Sequence, residues 1–119
     1  MNQKSAPHVD LELSQSDIDV LALVVKHSQE LIKATDFNMD AIRSCHMRAS
    51  SCLCHAASYS PMSVPEQDAM IYCLSLALDA ISGELSVDTA LRAALTKHTL
   101  AIHALLDRFQ TAFRQLTER

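Results

Sequence analysis

The sequence has very little of the two residues that build irregular loops. Its 119 residues include one glycine and three prolines. Since loops use these residues for unusual backbone angles, we expect few and short connections. Tryptophan is absent and aromatic residues make up only 4% of the chain, although 49% of it is apolar. This composition favours helices over strands and is apolar enough for a core, so we predict one all-α domain.

Other absences exclude whole classes of protein. The net charge of −4 and the pI of 5.8 give no excess of cations for binding phosphates, so we expect no direct contact with nucleic acid. The longest apolar run, residues 20–25, is far shorter than the ~20 residues of a membrane span. The N-terminus lacks the apolar core of a secretory signal, and four unevenly spaced cysteines do not resemble a disulfide framework. We therefore expect a cytoplasmic protein with free thiols.

An apolar seven-residue repeat dominates the first half of the chain. Residues 1–13 are expected to form a flexible arm, and 14–119 a single helical domain that begins with a cap at Ser14 or Ser16. The repeat predicts one long helix over residues 16–58. The alternative is a break at "TDFN", residues 35–38, where Thr35, Asp36 and Asn38 could cap a new helix.

Two more helices are predicted after the first. Ser63 and Glu66 have the spacing of a capping box, and Gly83 is placed to end the short second helix. Ser86 is expected to cap the third helix, whose apolar residues recur at spacings of three and four up to Leu116.

The predicted helix lengths imply a homodimer. A short second helix covers only half of a long first helix, so apolar stripes at both ends of the bundle would need a second copy of the chain. If the first helix breaks at residues 35–38, the chain could instead close as a monomeric four-helix bundle. The candidate residues for the dimer or partner interface are Leu21, Val25, Ile32, Leu105, Phe109, Phe113 and Leu116.

Cysteine and histidine are concentrated in "SCHMRASSCLCHAAS", residues 44–58. Cys45 and Cys52 are about 10.5 Å apart along a helix, too far to share one zinc ion. Only Cys52 and His55 could chelate together, so a zinc site would have to form between subunits. We interpret the stretch as a small-residue surface for helix packing, with no bound metal or cofactor.

Nothing in the chain matches a catalytic motif, and we predict that it is not an enzyme. His46 and His98 fall on apolar stripes, where a core or interface histidine with a hydrogen-bond partner is expected and a pH-sensitive interface is the alternative. Met39, Met47, Met62 and Met70 could fill the core or form an adaptable contact surface. A metalloprotein or enzyme with a site near Cys52 and His55 remains the competing hypothesis.

The order of a long helix "SDIDVLALVVKHSQELIKATDFNMDAIRSCHMRASSCLCHAAS", a short "PEQDAMIYCLSLALDAIS" and a third "VDTALRAALTKHTLAIHALLDRFQTAFRQL" resembles small bacterial quorum-sensing anti-activators of the QslA kind. The resemblance is architectural and carries over no functional residue. It implies a helical homodimer that sequesters a LuxR-type transcription factor by occupying its dimerisation surface. A helical chaperone, immunity protein or inhibitor would have the same general features.

Overall fold

The computed structural model describes residues 11–35 and 38–117, without the side chains of 116 and 117. This part of the chain is all-α, as predicted, and contains no strand. None of its helices is long and apolar enough to cross a bilayer. The helices are α1 Gln15–Lys26, α2 Ser28–Lys33, α3 Met39–Ala57, α4 Val64–Ser82, α5 Thr89–Thr96 and α6 Thr99–Thr117.

Helix α4 lies at the centre of the bundle and contacts each of the other five helices, most extensively α3 and α6. It has apolar or small residues around most of its circumference, as expected of a helix surrounded by others. Ala69, Cys73, Ala77 and Ala80 are buried along it, and their small side chains let neighbouring helices approach closely. The short predicted second helix is therefore the core of the fold.

The helix starts follow local capping chemistry. The Ser14 hydroxyl accepts a hydrogen bond from the Asp17 amide at 3.1 Å, and the Asp17 carboxylate accepts from the Ser14 amide at 3.0 Å. Ser63 and Glu66 form the same reciprocal capping box at the start of α4. Asn38 accepts from the Ala41 amide at 2.8 Å and begins α3. These caps satisfy amides that have no partner within the helix, and the capping predictions for Ser14 and for Ser63 with Glu66 are confirmed.

The prediction of one continuous helix over 16–58 is wrong, and the alternative break is confirmed. The chain leaves helical geometry at His27 and again after Lys33, and α3 starts only at Met39. At the first break the Ser28 hydroxyl donates to the Val25 carbonyl at 2.8 Å, a bond that bends helices. Met39 occupies an apolar position of the repeat but is 63% exposed. The repeat therefore continues across the break, but its residues do not form one continuous buried face.

Two further boundaries differ from the sequence prediction. The third helix is divided into α5 and α6 by a turn at residues 97–98, where the Thr99 hydroxyl donates to the Thr96 carbonyl at 2.8 Å. Asp88, and not Ser86, occupies the N-cap position of α5. Of the predicted arm, residues 1–10 lie outside the described residues, whereas Leu11 and Leu13 pack against the core.

Helix α3 ends on an unusual residue. Tyr59 has a φ of 58°, in the left-handed region where glycine is usual, and its side chain is 84% exposed. We expect Tyr59→Gly to raise the free energy of unfolding by about 0.5–1 kcal/mol, because it removes a Cβ clash and little packing. Urea unfolding followed by circular dichroism measures this change.

Gly83 supplies the matched control at the end of α4. Its φ is 88°, and a Cβ built there would have no atom within 4 Å, so only backbone strain opposes a side chain. Gly83→Ala is therefore expected to lower the free energy of unfolding by about 1 kcal/mol. Equal effects of the same sign from both substitutions would contradict this explanation.

Candidate functional site

Most of the predicted interface residues lie inside the single chain. Within this one protomer the exposed fractions are 0–5% for Leu21, Val25, Ile32, Leu105 and Phe109. Phe113 is half-buried, and the side chain of Leu116 lies outside the described residues. The premise that these stripes lack an intramolecular partner is therefore wrong, because the break before α3 lets α1, α2 and α6 fold over α4. Homodimerisation stays a prediction, without the support of uncovered stripes.

A polar cluster around Glu66 joins the end of α3 to the start of α4. The Glu66 side chain is only 12% exposed. It accepts hydrogen bonds from the Ser51 hydroxyl and, at 2.8 Å, from the Ser63 amide. The Nδ1 atom of His55 lies 3.1 Å from Oε1, which accepts from Ser63, and 3.0 Å from Oε2, which accepts from Ser51. One carboxylate thus fixes two helices and the turn between them.

The hydrogen bonds to Glu66 outweigh the cost of its burial. Burial alone would raise the pKa of this carboxyl, but the bonds from Ser51, Ser63 and His55 hold it below its ordinary value. Ser51 and His55 both bond to the carboxylate, whereas a nucleophilic serine needs a histidine base bonded to its own hydroxyl. The arrangement is that of a structural clamp.

The cysteine–histidine stretch packs as predicted. Ala49, Cys52 and Ala56 are buried on the α3 face that contacts α4. The Cys52 thiol donates to the Met62 sulfur at 3.5 Å, and burial raises the pKa of Cys52 to about 12. All four cysteines are free. The described residues contain no group of three side chains that could hold a metal ion.

His46 and His98, the two histidines on the predicted apolar stripes, have different surroundings. His46 is half-buried and bonds through Nδ1 to the Ser28 hydroxyl. Since that hydroxyl donates its single hydrogen to the Val25 carbonyl, it must accept from His46, which places the proton on Nδ1. The predicted hydrogen-bond partner is confirmed at position 46, although the side chain is only half-buried. His98 is also half-buried, at the turn between α5 and α6.

The surface of α3 that faces away from the bundle is the best candidate for a binding site. We call it the α3 surface, and it consists of Met39, Asp40, Arg43, Ser44, Met47 and Arg48. Met39 and Met47 are 63% and 62% exposed, whereas Met62 and Met70 are buried in the core. Core filling is therefore confirmed for Met62 and Met70 and excluded for Met39 and Met47.

A groove between α3 and α4 borders the α3 surface. It has a volume of about 430 Å³ and is open to solvent. Its wall is formed by Ala41, Ser44, Cys45, Arg48, Pro65, Asp68, Ala69 and Tyr72. A shallower hollow of about 330 Å³ lies beside it along Asp40, Arg43 and Met47. Ser44 and Arg48 line both, so the two depressions are adjacent.

Comparisons with known proteins give this fold no family: no protein-family model, no curated protein and no solved structure matches the chain.

Proposed function

We propose that the chain is a small non-catalytic regulator that binds a protein partner through the α3 surface. The observation that carries this proposal is the pair of exposed methionines on α3, Met39 and Met47, of which Met47 lines the hollow next to the open α3–α4 groove. Methionine is flexible and polarisable, and it is common on surfaces that adapt to a partner. Two exposed thioethers on one helix, next to an apolar groove, are typical of a contact surface more than of a solvated face.

The spacing along α3 suits a helical partner. Positions 40, 43, 44, 47 and 48 recur at intervals of three and four and therefore lie on one side of the helix. A partner helix could place an apolar side chain in the groove, against Ala41 and Ala69, while it packs on Met47. The groove is wide enough for one large side chain, which would act as the anchor of the interface.

The charges on the α3 surface constrain the partner's sequence. Arg43 and Arg48 point to solvent on a chain whose net charge is −4. We therefore expect the partner helix to carry acidic residues on both sides of its apolar anchor, where they would meet the two guanidinium groups. Asp68 on the far wall of the groove disfavours an acidic residue at the anchor itself.

For the partner we propose a transcription factor whose dimerisation surface the chain would occupy, as the resemblance to quorum-sensing anti-activators implies. Occupying such a surface needs no chemistry from the regulator, only an affinity that competes with self-association of the target. A secretion substrate or a toxin in the same position would instead identify a chaperone or an immunity protein.

Replacing an exposed methionine with a charged residue tests the proposed α3 surface. Met47→Glu places a carboxylate at its centre and is expected to weaken partner binding at least about 10-fold, because a hot-spot contact becomes a desolvated charge. The tagged wild type and the variant are used in parallel captures from the native host's lysate, and every protein recovered is quantified by mass spectrometry. Calorimetry on the purified complex then gives the affinities.

Leu100→Glu is the matched control. Leu100 is 85% exposed on α6, so the substitution adds the same carboxylate away from the α3 surface. The proposal expects a partner that is retained by this control and lost with Met47→Glu. A partner that binds both variants equally would overturn the proposed surface, and circular dichroism confirms that each variant is folded.

A further inference from the structure

Two of the four cysteines face each other across the α3–α4 interface. The helices run antiparallel, and the bond between Ser51 and Glu66 fixes their register. Cys45 lies six residues before Ser51, and Cys73 lies seven residues after Glu66. At 1.5 Å per residue both are about 10 Å from that bond in the same direction along the bundle. The Cys73 thiol is accordingly within hydrogen-bonding reach of the Cys45 sulfur.

The two thiols differ in their access to solvent. Cys45 is half-buried and forms part of the groove wall, beside Arg48 and Tyr72. Cys73 is fully buried behind it in the core. A small reagent that enters the groove therefore reaches Cys45 first, with Cys73 directly behind it. Neither of the other cysteines has this setting, since Cys52 is buried against Met62 and Cys54 is exposed on another side of α3.

The hydrogen bonds and charges around the two thiols also favour Cys45 as the more reactive one. The hydrogen bond from Cys73 holds the pKa of Cys45 below its ordinary value, and the Arg48 guanidinium acts in the same direction, against the effects of burial and of Asp68. That same hydrogen bond and burial raise the pKa of Cys73. Cys45 is thus the more readily ionised thiol, and thiolate is the reactive form.

We propose that Cys45 and Cys73 form a dithiol that hydrogen peroxide oxidises to an intramolecular disulfide across the α3–α4 interface. The Cys45 thiolate attacks one peroxide oxygen, the O–O bond breaks, and the hydroxide that leaves takes a proton to become water. The sulfur of Cys73 then attacks the Cys45 sulfenic acid. The S–S bond forms, the S–O bond breaks, and the leaving hydroxide takes the Cys73 proton as a second water. Two thiols are oxidised and one peroxide is reduced to two water molecules.

Peptide mapping after peroxide treatment tests this proposal on the full chain. The reduced protein is treated with one equivalent of hydrogen peroxide, alkylated, digested and analysed by mass spectrometry. We expect a cross-linked peptide pair containing Cys45 and Cys73, lighter than the sum of its parts by two hydrogen atoms. Cys54→Ser, which removes the exposed thiol, should leave this cross-link unchanged and suppress disulfides between chains.

Variants of the pair distinguish the two roles. Cys73→Ala is expected to abolish the cross-link and leave Cys45 as a sulfenic acid, which dimedone traps. Cys45→Ala should leave Cys73 reduced, because no other thiol in the groove reacts first. Treatment in urea provides the unfolded control, in which selectivity for this pair should disappear. A different disulfide in the native wild type, or oxidation of Cys45 to sulfinic acid without a cross-link, would overturn the proposal.

Discussion

Replacing Phe109 with alanine is expected to lower the free energy of unfolding by about 3–5 kcal/mol. Phe109 is 0% exposed and is the largest of the fully buried side chains, on the face of α6 that packs against the core. Truncation removes an aromatic ring from close-packed surroundings and leaves a cavity that rigid helices cannot fill. Because a small domain is stable by only about 5–15 kcal/mol, much of its stability would be lost.

Urea unfolding measures this loss, and Leu100→Ala is its control on the same helix. Leu100 is 85% exposed, so its truncation should change the free energy of unfolding by no more than about 0.5 kcal/mol. The sequence had assigned Phe109 to an interface between chains. Unchanged stability in Phe109→Ala, together with weaker self-association, would restore that assignment and contradict the fold described above.

Glu66→Gln is expected to lower the free energy of unfolding by about 1–3 kcal/mol at neutral pH. The amide cannot accept from Ser51, Ser63 and His55 at once, and its NH₂ group would face donors. Since the Glu66 side chain is only 12% exposed, water does not replace the lost bonds. Thermal or urea unfolding of both proteins at pH 7 gives the difference.

The stability difference between the wild type and Glu66→Gln is expected to shrink as the pH falls. The pKa of Glu66 is lower in the folded protein than its ordinary value of 4.5, so the folded state favours the carboxylate. Its contribution is therefore fully present above pH 4.5 and is lost as the pH falls through the lower folded pKa. Wild type and Glu66→Gln should converge in stability on acidification. A difference that stays constant down to the acid limit would mean that Glu66 acts through its shape alone.

Local signals in the sequence predicted several of the helix boundaries correctly. The cap at Ser14, the capping box of Ser63 with Glu66 and the glycine at position 83 each depend on a few neighbouring residues, so no tertiary information was needed. The interpretation of the small-residue stretch on α3 as a packing surface was likewise correct, since Ala49 and Cys52 are buried there. Helix content and capping chemistry are properties of short segments.

The breaks in the helices could not be predicted in this way. The seven-residue repeat runs through His27 and through residues 35–38, although α1 ends at Lys26, α2 ends at Lys33 and α3 begins only at Met39. Asn38 was a visible capping candidate, but its signal competed with an unbroken apolar period. No glycine or proline marks the turn at residues 97–98. After each break the following helix, α2, α3 or α6, contacts α4, and these contacts join segments that are distant in the sequence.

The error in predicting the helix breaks also affected the choice of candidate interface residues. With one long helix, Leu21 and Phe109 had no cover and became interface candidates, whereas in the folded chain they form core. In the sequence, nothing distinguished Met39 and Met47 from Met62 and Met70. In the folded chain, Met39 and Met47 lie on the side of α3 that faces solvent, whereas Met62 and Met70 are buried. Burial depends on contacts between segments that are distant along the chain. Such contacts cannot be read from local patterns in a single sequence.

The methionine methyl groups offer the most direct test that the α3 surface binds a partner. With ¹³C-methyl methionine in the chain, each methionine gives its own NMR signal, and the complex is formed by adding the purified partner. We predict that the signals of Met39 and Met47 shift or broaden on binding, while those of the buried Met62 and Met70 keep their positions. A complex that forms without changing the Met39 and Met47 signals would contradict the proposed surface.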